Sequence, residues 1–258
     1  MNAHDETGGA RLRRIMLALD ALNCETPLIE AAARIAAKLE AELDALFVED
    51  DDVYTVADLP FAREISLSSA REHEISGKRV EQTLRGLSRD AEQRFGAVIR
   101  SRRLRGHFEV RRARRQDVLS DAALHVGLLL LQPRERTFVR LRVVDERPAR
   151  VFVLCAATPA SYRALELGAR LAHADHGLLE VVVAGGLGAP LQGDLERTGL
   201  RLEVREHPPG AGVLAMLPDI DNRPGNTVLV AGDLSTADDR NLVLESLSRL
   251  RCHVLLVN

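Results

Sequence analysis

The sequence predicts an α/β protein built from two tandem, doubly wound parallel-sheet modules of Rossmann-like type. Continuous apolar runs alternate along the chain with amphipathic stretches of helical spacing, which is typical of parallel strands joined by crossover helices. The strand–helix–strand pattern of the first half occurs again in the second half. With 258 residues, 46% of them hydrophobic, the chain can bury one large core or the cores of two domains of roughly 130 residues each.

The first βαβ unit lies near the start of the chain. The apolar runs RRIMLALD, residues 13–20, and LDALFVED, residues 43–50, predict two parallel strands. Between them, apolar residues at helical spacing predict a helix, and Thr26 and Pro27 suit its first turn. Residues 1–12 lack the apolar segment of a signal peptide, and we expect them to form a mobile tail.

This unit is repeated after a shift of 136 residues. Residues 14–48 align without a gap on residues 150–184, and the boundaries of strand, helix and strand coincide. Two unrelated amphipathic helices can share a few residues, but coincident boundaries indicate an internal duplication. We therefore expect a first module at residues 13–146 and a second, shorter module at residues 147–258.

The first half also carries an insertion. HFEVRRA, residues 107–113, resembles RLEVREH, residues 201–207, which leaves 42 extra residues before the third strand of the first half. Within the insertion, a helical stripe predicts a long helix that projects beyond the sheet; its apolar residues are Val80, Leu84, Leu87, Ala91, Phe95 and Val98. The preceding residues 53–69 are apolar and irregular. They are interpreted as an extension of the core through Leu59, Phe61 and Ile65, with a lid, a segment filling the pocket or a partner surface as alternatives.

After its fourth strand, the first half has too few residues for a helical crossover. We therefore expect this half to lack its fourth helix. Residues 138–144 are then an edge strand or a linker strand between the modules.

Three segments resemble the universal stress protein family in its tandem form. They are RRIMLALD with an acidic residue at the strand end, AARIAAKLEAELDALFVED after it, and the final RCHVLLVN. The resemblance implies five-stranded parallel sheets that pair through their last strands. It also implies that one branch of the family binds ATP, through a loop of the form G-x-x-G-x9-G-[ST] after the fourth strand.

The candidate ligand-binding residues follow from this resemblance. Asp20 matches the acidic position that approaches the nucleotide, and Val48 matches the position whose backbone contacts adenine. In the second half, the corresponding loop offers Gly232, Asp233 and Ser235 but lacks the second and third glycines, and its carboxylates would repel a triphosphate. This loop is better explained as the capped start of the last helix. We therefore expect no bound cofactor, and ATP is the alternative.

No catalytic constellation stands out in the sequence. His173 and His176 have no third metal ligand at a usable spacing. The acidic run at residues 49–52 is interpreted as a solvated loop, and the eight arginines of residues 100–115 as a solvated edge paired with acidic neighbours, which makes nucleic acid an unfavoured partner. The net charge of −3, three cysteines without C-x-x-C spacing and no membrane-length apolar run favour a cytoplasmic protein.

The sequence thus favours a non-catalytic stress-response or regulatory protein that acts through a protein partner or a small ligand. We expect its modules to pack as an intramolecular pseudo-dimer, and the sequence leaves a homodimer open. One alternative is a nucleotide-binding switch that uses Asp20 and Val48. A weak ATP hydrolase or phosphotransferase is a third alternative, for which the sequence supplies no positioned lysine or metal site.

Overall fold

The computed structural model describes residues 14–59, 63–65, 72–74, 76–131, 149–156, 158–175, 177–187, 193, 199–231 and 237–258. Several sequence predictions lie outside these residues: the mobile tail at 1–12, the contribution of Phe61, the strand at 138–144 and the loop containing Gly232, Asp233 and Ser235.

Within its described residues, the first half has six strands and four helices. In chain order they are β1 (Arg14–Asp20), α1 (Thr26–Lys38), β2 (Glu42–Asp50), α2 (Asp51–Ala57), β3 (Arg63–Ile65), β4 (Glu72–Glu74), α3 (Gly77–Arg102), β5 (Phe108–Ala113), α4 (Arg115–His125) and β6 (Leu128–Leu131). The short strands β3 and β4 form a separate antiparallel pair.

The second half repeats the order of strands and adds one. Its elements are β7 (Val151–Ala156), α5 (Pro159–Ala174), β8 (Leu178–Ala184), β9 (Arg201–His207), α6 (Val213–Met216) followed by a 3-10 turn (Leu217–Asp219), β10 (Thr227–Ala231), α7 (Ala237–Leu247) and β11 (His253–Val257). None of the helices in the described part of the chain combines the length and the apolar character needed to cross a membrane.

Nine strands form one sheet in the order β5-β2-β1-β6-β11-β10-β7-β8-β9. Every neighbouring pair in this sheet is parallel except β6 and β11, which are antiparallel. The sheet therefore consists of a four-stranded and a five-stranded parallel half that meet at β6 and β11. This confirms the predicted α/β class with two doubly wound parallel-sheet modules.

The antiparallel junction has two consequences. First, the carboxyl ends of the strands point to opposite edges of the sheet in the two halves. Second, β11 takes the place beside β6 that a fifth strand of the first half would take, so the two halves share one closing strand. Asn258, just after β11, reinforces this junction: its backbone N–H donates to the Gly127 carbonyl at 3.1 Å, and its side-chain Nδ2 donates to the carbonyl of Val126 at 2.8 Å.

The aligned strands of the two halves have the same register. Asp20 pairs with Val48 across β1 and β2, and the residues 136 positions later, Ala156 and Ala184, pair in the same way across β7 and β8. The predicted equivalence of the third strands, however, is wrong by two residues. Ala45 pairs with Phe108, whereas Val181, its counterpart 136 positions later, pairs with Val204 and not with Leu202. A shift of two residues keeps every side chain on the same face of a strand, so an alternating pattern does not reveal it.

Helices cover both faces of the sheet. On one face, α1, α3 and α5 pack over a core that contains Phe47 and runs across both halves. On the other face, α4, α6 and α7 cover a second core built on Phe152. The central strands β6 and β10 are buried along their whole length, and β7 in all but its last residue, as expected of strands covered on both faces.

The insertion folds partly as predicted. The stripe from Val80 to Val98 lies on the buried face of α3, whose first turns continue past the sheet onto α2. Two interpretations of the segments before α3 are wrong, because residues 53–57 are not irregular and the acidic run at residues 49–52 is not a solvated loop. Residues 51–57 form α2, because Asp50 caps its first turn by accepting from the backbone N–H of Asp52 at 3.3 Å. Leu59 is 41% exposed and does not extend the core.

Candidate functional site at the carboxyl edge of the first half

Asp20 and Val48, the two residues predicted to approach a ligand in the first half, are direct neighbours in the sheet. They end adjacent strands and are partners in the β1–β2 register. Both are buried, at 6% and 2% exposed. The structure therefore brings this predicted pair together at the carboxyl edge of the first half, where parallel α/β sheets hold their ligands.

The Asp20 carboxylate is fully engaged by the protein itself. Its Oδ1 accepts from the backbone N–H groups of Leu22 at 2.8 Å and Asn23 at 3.0 Å, and the Asn23 side chain donates to both oxygens at 3.3 Å. Its Oδ2 also accepts from Nε of Arg115 at 2.8 Å in an ion pair whose side chains are 9% and 14% exposed. Asp20 thus fixes the turn after β1 and anchors the start of α4.

Val48 is covered by the same helix. Its side chain packs in a small buried cluster with Leu46 and with Val118 of α4. The backbone of Val48 lies between two strands, because it is in register with Asp20 on one side and with Arg111 on the other.

The other predicted site residues, Gly232, Asp233 and Ser235, lie outside the residues that the structure describes. The last described residue before them is Ala231, at the end of β10. Because β6 and β11 pair antiparallel, that end of β10 lies at the sheet edge opposite Asp20.

The acidic run and the arginine segment meet beside this edge. Arg112 Nε donates to Asp51 at 2.9 Å, and Arg114 Nε lies 3.5 Å from Asp52. Three more arginines of the segment form ion pairs. Arg105 pairs with Glu42, Arg111 pairs with Glu109 and Asp121, and Arg115 pairs with Asp20. Since β5 is an edge strand, these pairs confirm the interpretation of a solvated edge with acidic neighbours.

An aromatic and ionic cluster holds α2 against the sheet. The Arg112 guanidinium stacks over the Tyr54 ring at 3.7 Å from its centroid, and the Tyr54 hydroxyl donates to the buried Glu49 carboxylate at 3.3 Å. Burial, with the Glu49 charge as a second cause, raises the pKa of Tyr54. The hydrogen bond to Asp51 raises the pKa of Arg112. This cluster could not be predicted, because residues 49–57 carry no helical stripe long enough to predict a helix.

The second half has its own polar cluster. The buried Glu180 carboxylate accepts from Arg150 at 2.8 Å and from Arg205 at 3.3 Å, while Nε2 of His207 lies 2.5 Å from Asp219. In the part of the chain that the structure describes, no hydroxyl or thiol contacts the His207 ring, and no group of three or more His, Cys, Asp or Glu side chains is arranged to hold a metal ion.

Comparisons with known proteins show the fold and no more. No protein-family model matches the sequence, and no curated protein matches it. Among solved structures, the chain is similar to a universal stress protein from Archaeoglobus fulgidus DSM 4304, with a TM-score of 0.56 and 13% sequence identity over 95% of this chain and 96% of that one. The chain therefore has a fold similar to that of a universal stress protein along nearly its whole length.

Proposed function

We propose that the chain is a non-catalytic regulatory protein of the universal stress protein type, which acts in a stress response by binding a protein partner or a small ligand other than a nucleotide. The observation that supports this proposal best is the closed hydrogen bonding of Asp20. An ionised carboxylate offers about four lone-pair sites. Leu22, Asn23 and Arg115 make five contacts with them, so no oxygen is left for a nucleotide.

The state of the cysteines also supports a non-catalytic role. All three thiols are free and buried. Burial raises the pKa of Cys155 and of Cys252 to about 12, and it raises the pKa of Cys24 as well. Because the thiolate is the nucleophile, none of the three is poised for covalent catalysis at neutral pH.

A thermal melt with Mg²⁺ and ATP tests the proposal. A ligand at a hundred times its Kd adds about 2.7 kcal/mol to stability, which is a shift of roughly 5 to 10 °C for a chain of this size. We expect no shift with ATP, ADP or AMP. A shift of several degrees, or phosphate release above that of a buffer control, would refute the non-catalytic, nucleotide-free proposal.

A nucleotide-binding switch is the second candidate. It is favoured by the placement of Asp20 directly beside Val48 at the ligand-binding edge. It requires Arg115 to leave Asp20 when the nucleotide enters. On this candidate, ATP binds the wild type, Asp20→Asn weakens binding at least tenfold, and the exposed control Asp58→Asn leaves affinity unchanged.

A further inference from the structure

A cavity of about 380 Å³ lies where the two halves meet, on the face of the sheet covered by α4 and α7. We call it the seam pocket. Its first-half side is formed by the end of β2 and the start of α4, and its second-half side by the C-terminal part of α7. This volume falls within the range of pockets for small molecules. Its walls come from both halves, and on the first-half side it adjoins the edge that holds Asp20 and Val48 through Arg115, which pairs with Asp20.

The charged groups of the seam pocket are mostly neutralised within the protein. Arg115 is paired with Asp20, Arg114 lies against Asp52, and on α7 Glu245 is paired with Arg249. Each arginine of the lining therefore has a carboxylate beside it, which opposes its attraction for an anion. Asp50 remains as the lining carboxylate with no cationic side-chain partner among the described residues.

Asp50 is held in place as a hydrogen-bond acceptor. Its Oδ1 accepts from the backbone N–H groups of Asp52 and Arg115, each at 3.3 Å, at the first turns of α2 and α4. Helix N-termini favour a negative charge, so they fix this carboxylate without supplying a neutralising cation. The second oxygen, Oδ2, has no donor among the described residues.

The apolar part of the wall comes from Leu119 of α4 and Leu244 of α7, both almost fully buried. Oδ1 of Asn241 on α7 has no hydrogen-bond partner in the described part of the chain, but it has almost no accessible surface, so a ligand in the cavity does not reach it. Asp50 is therefore the acceptor that a bound cation would meet.

We propose that the seam pocket binds a small organic cation: an aliphatic amine or guanidine whose charged end pairs with Asp50 and whose alkyl chain packs on Leu119 and Leu244. The cation supplies the N–H donors that Asp50 lacks, and its methylene groups suit the apolar wall. Because the ligand touches both α4 and α7, binding stabilises the junction of the two halves.

This inference gives the proposed ligand-binding role a site and a ligand class, and it rests on that role. The two fail separately, because the nucleotide melt tests the Asp20 edge whereas amines test the seam pocket. If the protein binds neither ATP nor amines, the present inference is refuted and the proposed function stands. If it binds ATP, the proposed function is refuted whatever the result with amines.

Calorimetry and thermal melts on the full chain test the seam pocket with putrescine and agmatine as probes. The uncharged 1,4-butanediol and the dianion succinate serve as ligand controls. We expect both amines to bind and to raise the melting temperature, and both controls to do neither. Asp50→Asn keeps a good helix-capping residue while removing the charge, and we expect at least a tenfold loss of amine affinity.

Glu245→Gln provides a second variant with a matched control. Glu245 and Glu81 each pair with an arginine four residues on, at Arg249 and Arg85, but Glu81 does not line the pocket. Removing Glu245 frees Arg249 next to the cavity, so we expect weaker amine binding in Glu245→Gln and wild-type binding in Glu81→Gln. Absence of amine binding to the wild type, equal binding of butanediol, preference for succinate, or unchanged affinity in Asp50→Asn would each overturn the proposal.

Discussion

Replacing Arg115 by Met tests whether one ion pair holds the carboxyl edge of the first half. Arg115 Nε donates to Asp20 Oδ2 at 2.8 Å, and the two side chains are 14% and 9% exposed. The methionine keeps most of the aliphatic bulk of the arginine. The substitution therefore removes the charge and the donor while leaving the packing of α4 nearly intact.

The expected loss follows from burial and from the remaining donors. Breaking a buried ion pair by removing one partner costs about 3 to 5 kcal/mol. Asp20 keeps its hydrogen bonds from Leu22 and Asn23, and the pair lies near the rim of the sheet, so we expect a loss below that range, of about 2 kcal/mol. For a chain of this length, that corresponds to a fall of about 4 to 8 °C in melting temperature.

Urea denaturation of wild type, Arg115→Met, Asp20→Asn and the double variant measures the coupling directly. We expect a coupling energy of about 1 to 2 kcal/mol between the two positions. Arg114→Met is the matched control, because its pair with Asp52 is 3.5 Å long and about 70% exposed on both sides. Such exposed pairs contribute at most about 1 kcal/mol. Equal losses in Arg115→Met and Arg114→Met would refute the reasoning.

Three further predictions concern stability and reactivity. His253 begins β11, where burial and then a cationic neighbour on α1 lower its pKa to about 4. Between pH 6.5 and 4, the unfolded chain therefore binds more protons than the folded one. The stability that the neutral His253 ring contributes is complete above pH 6.5 and is lost as the pH falls. We expect about 2 kcal/mol less stability at pH 4.5 than at pH 6.5, measured as the difference between wild type and His253→Asn in urea. Gly106→Ala should destabilise the chain by about 2 kcal/mol or more, because its Cβ would lie 1.8 Å from a main-chain carbonyl oxygen of β2. Gly86→Ala, in open space on α3, should stabilise it by about 0.5 to 1 kcal/mol in the same denaturation assay; a stabilising Gly106→Ala or a destabilising Gly86→Ala would contradict the packing described. Cys155 and Cys252 should resist thiol reagents at pH 8 until the protein unfolds, and rapid labelling of the native chain would show that they are not buried.

Much of the fold could be predicted from the sequence because it depends on local periodicity. The apolar runs that become β1, β2, β7 and β8 have the length and continuity of strands buried on both faces. The gapless repeat predicted the register of both strand pairs, because an insertion inside a βαβ unit would have shifted it. The third strands were misaligned by two residues, because a periodicity of two carries no information about such a shift.

The candidate site was predictable only in part. The acidic end of β1 and the apolar character of Val48 were visible in the sequence, and the fold places them side by side. The partner of Asp20 was not visible, because Arg115 is 95 residues away and is one of eight arginines in its segment. Nothing local distinguishes it from Arg112 or Arg114. Only the start of α4 at the end of β5 brings its guanidinium to a buried carboxylate.

The sequence by itself determined the α/β class and the succession of strands and helices that the two halves share, since these follow from hydrophobic spacing along the chain. The tertiary structure alone decided how the halves join. Hydrogen bonding between β6 and β11 runs antiparallel, and this sets the two carboxyl edges on opposite sides of the sheet. It also creates the seam pocket, because β11 of the second half lies beside β6 and brings α7 next to α4 of the first half. Pairing between strands so far apart in sequence depends on the complementarity of two assembled surfaces, which no local pattern encodes.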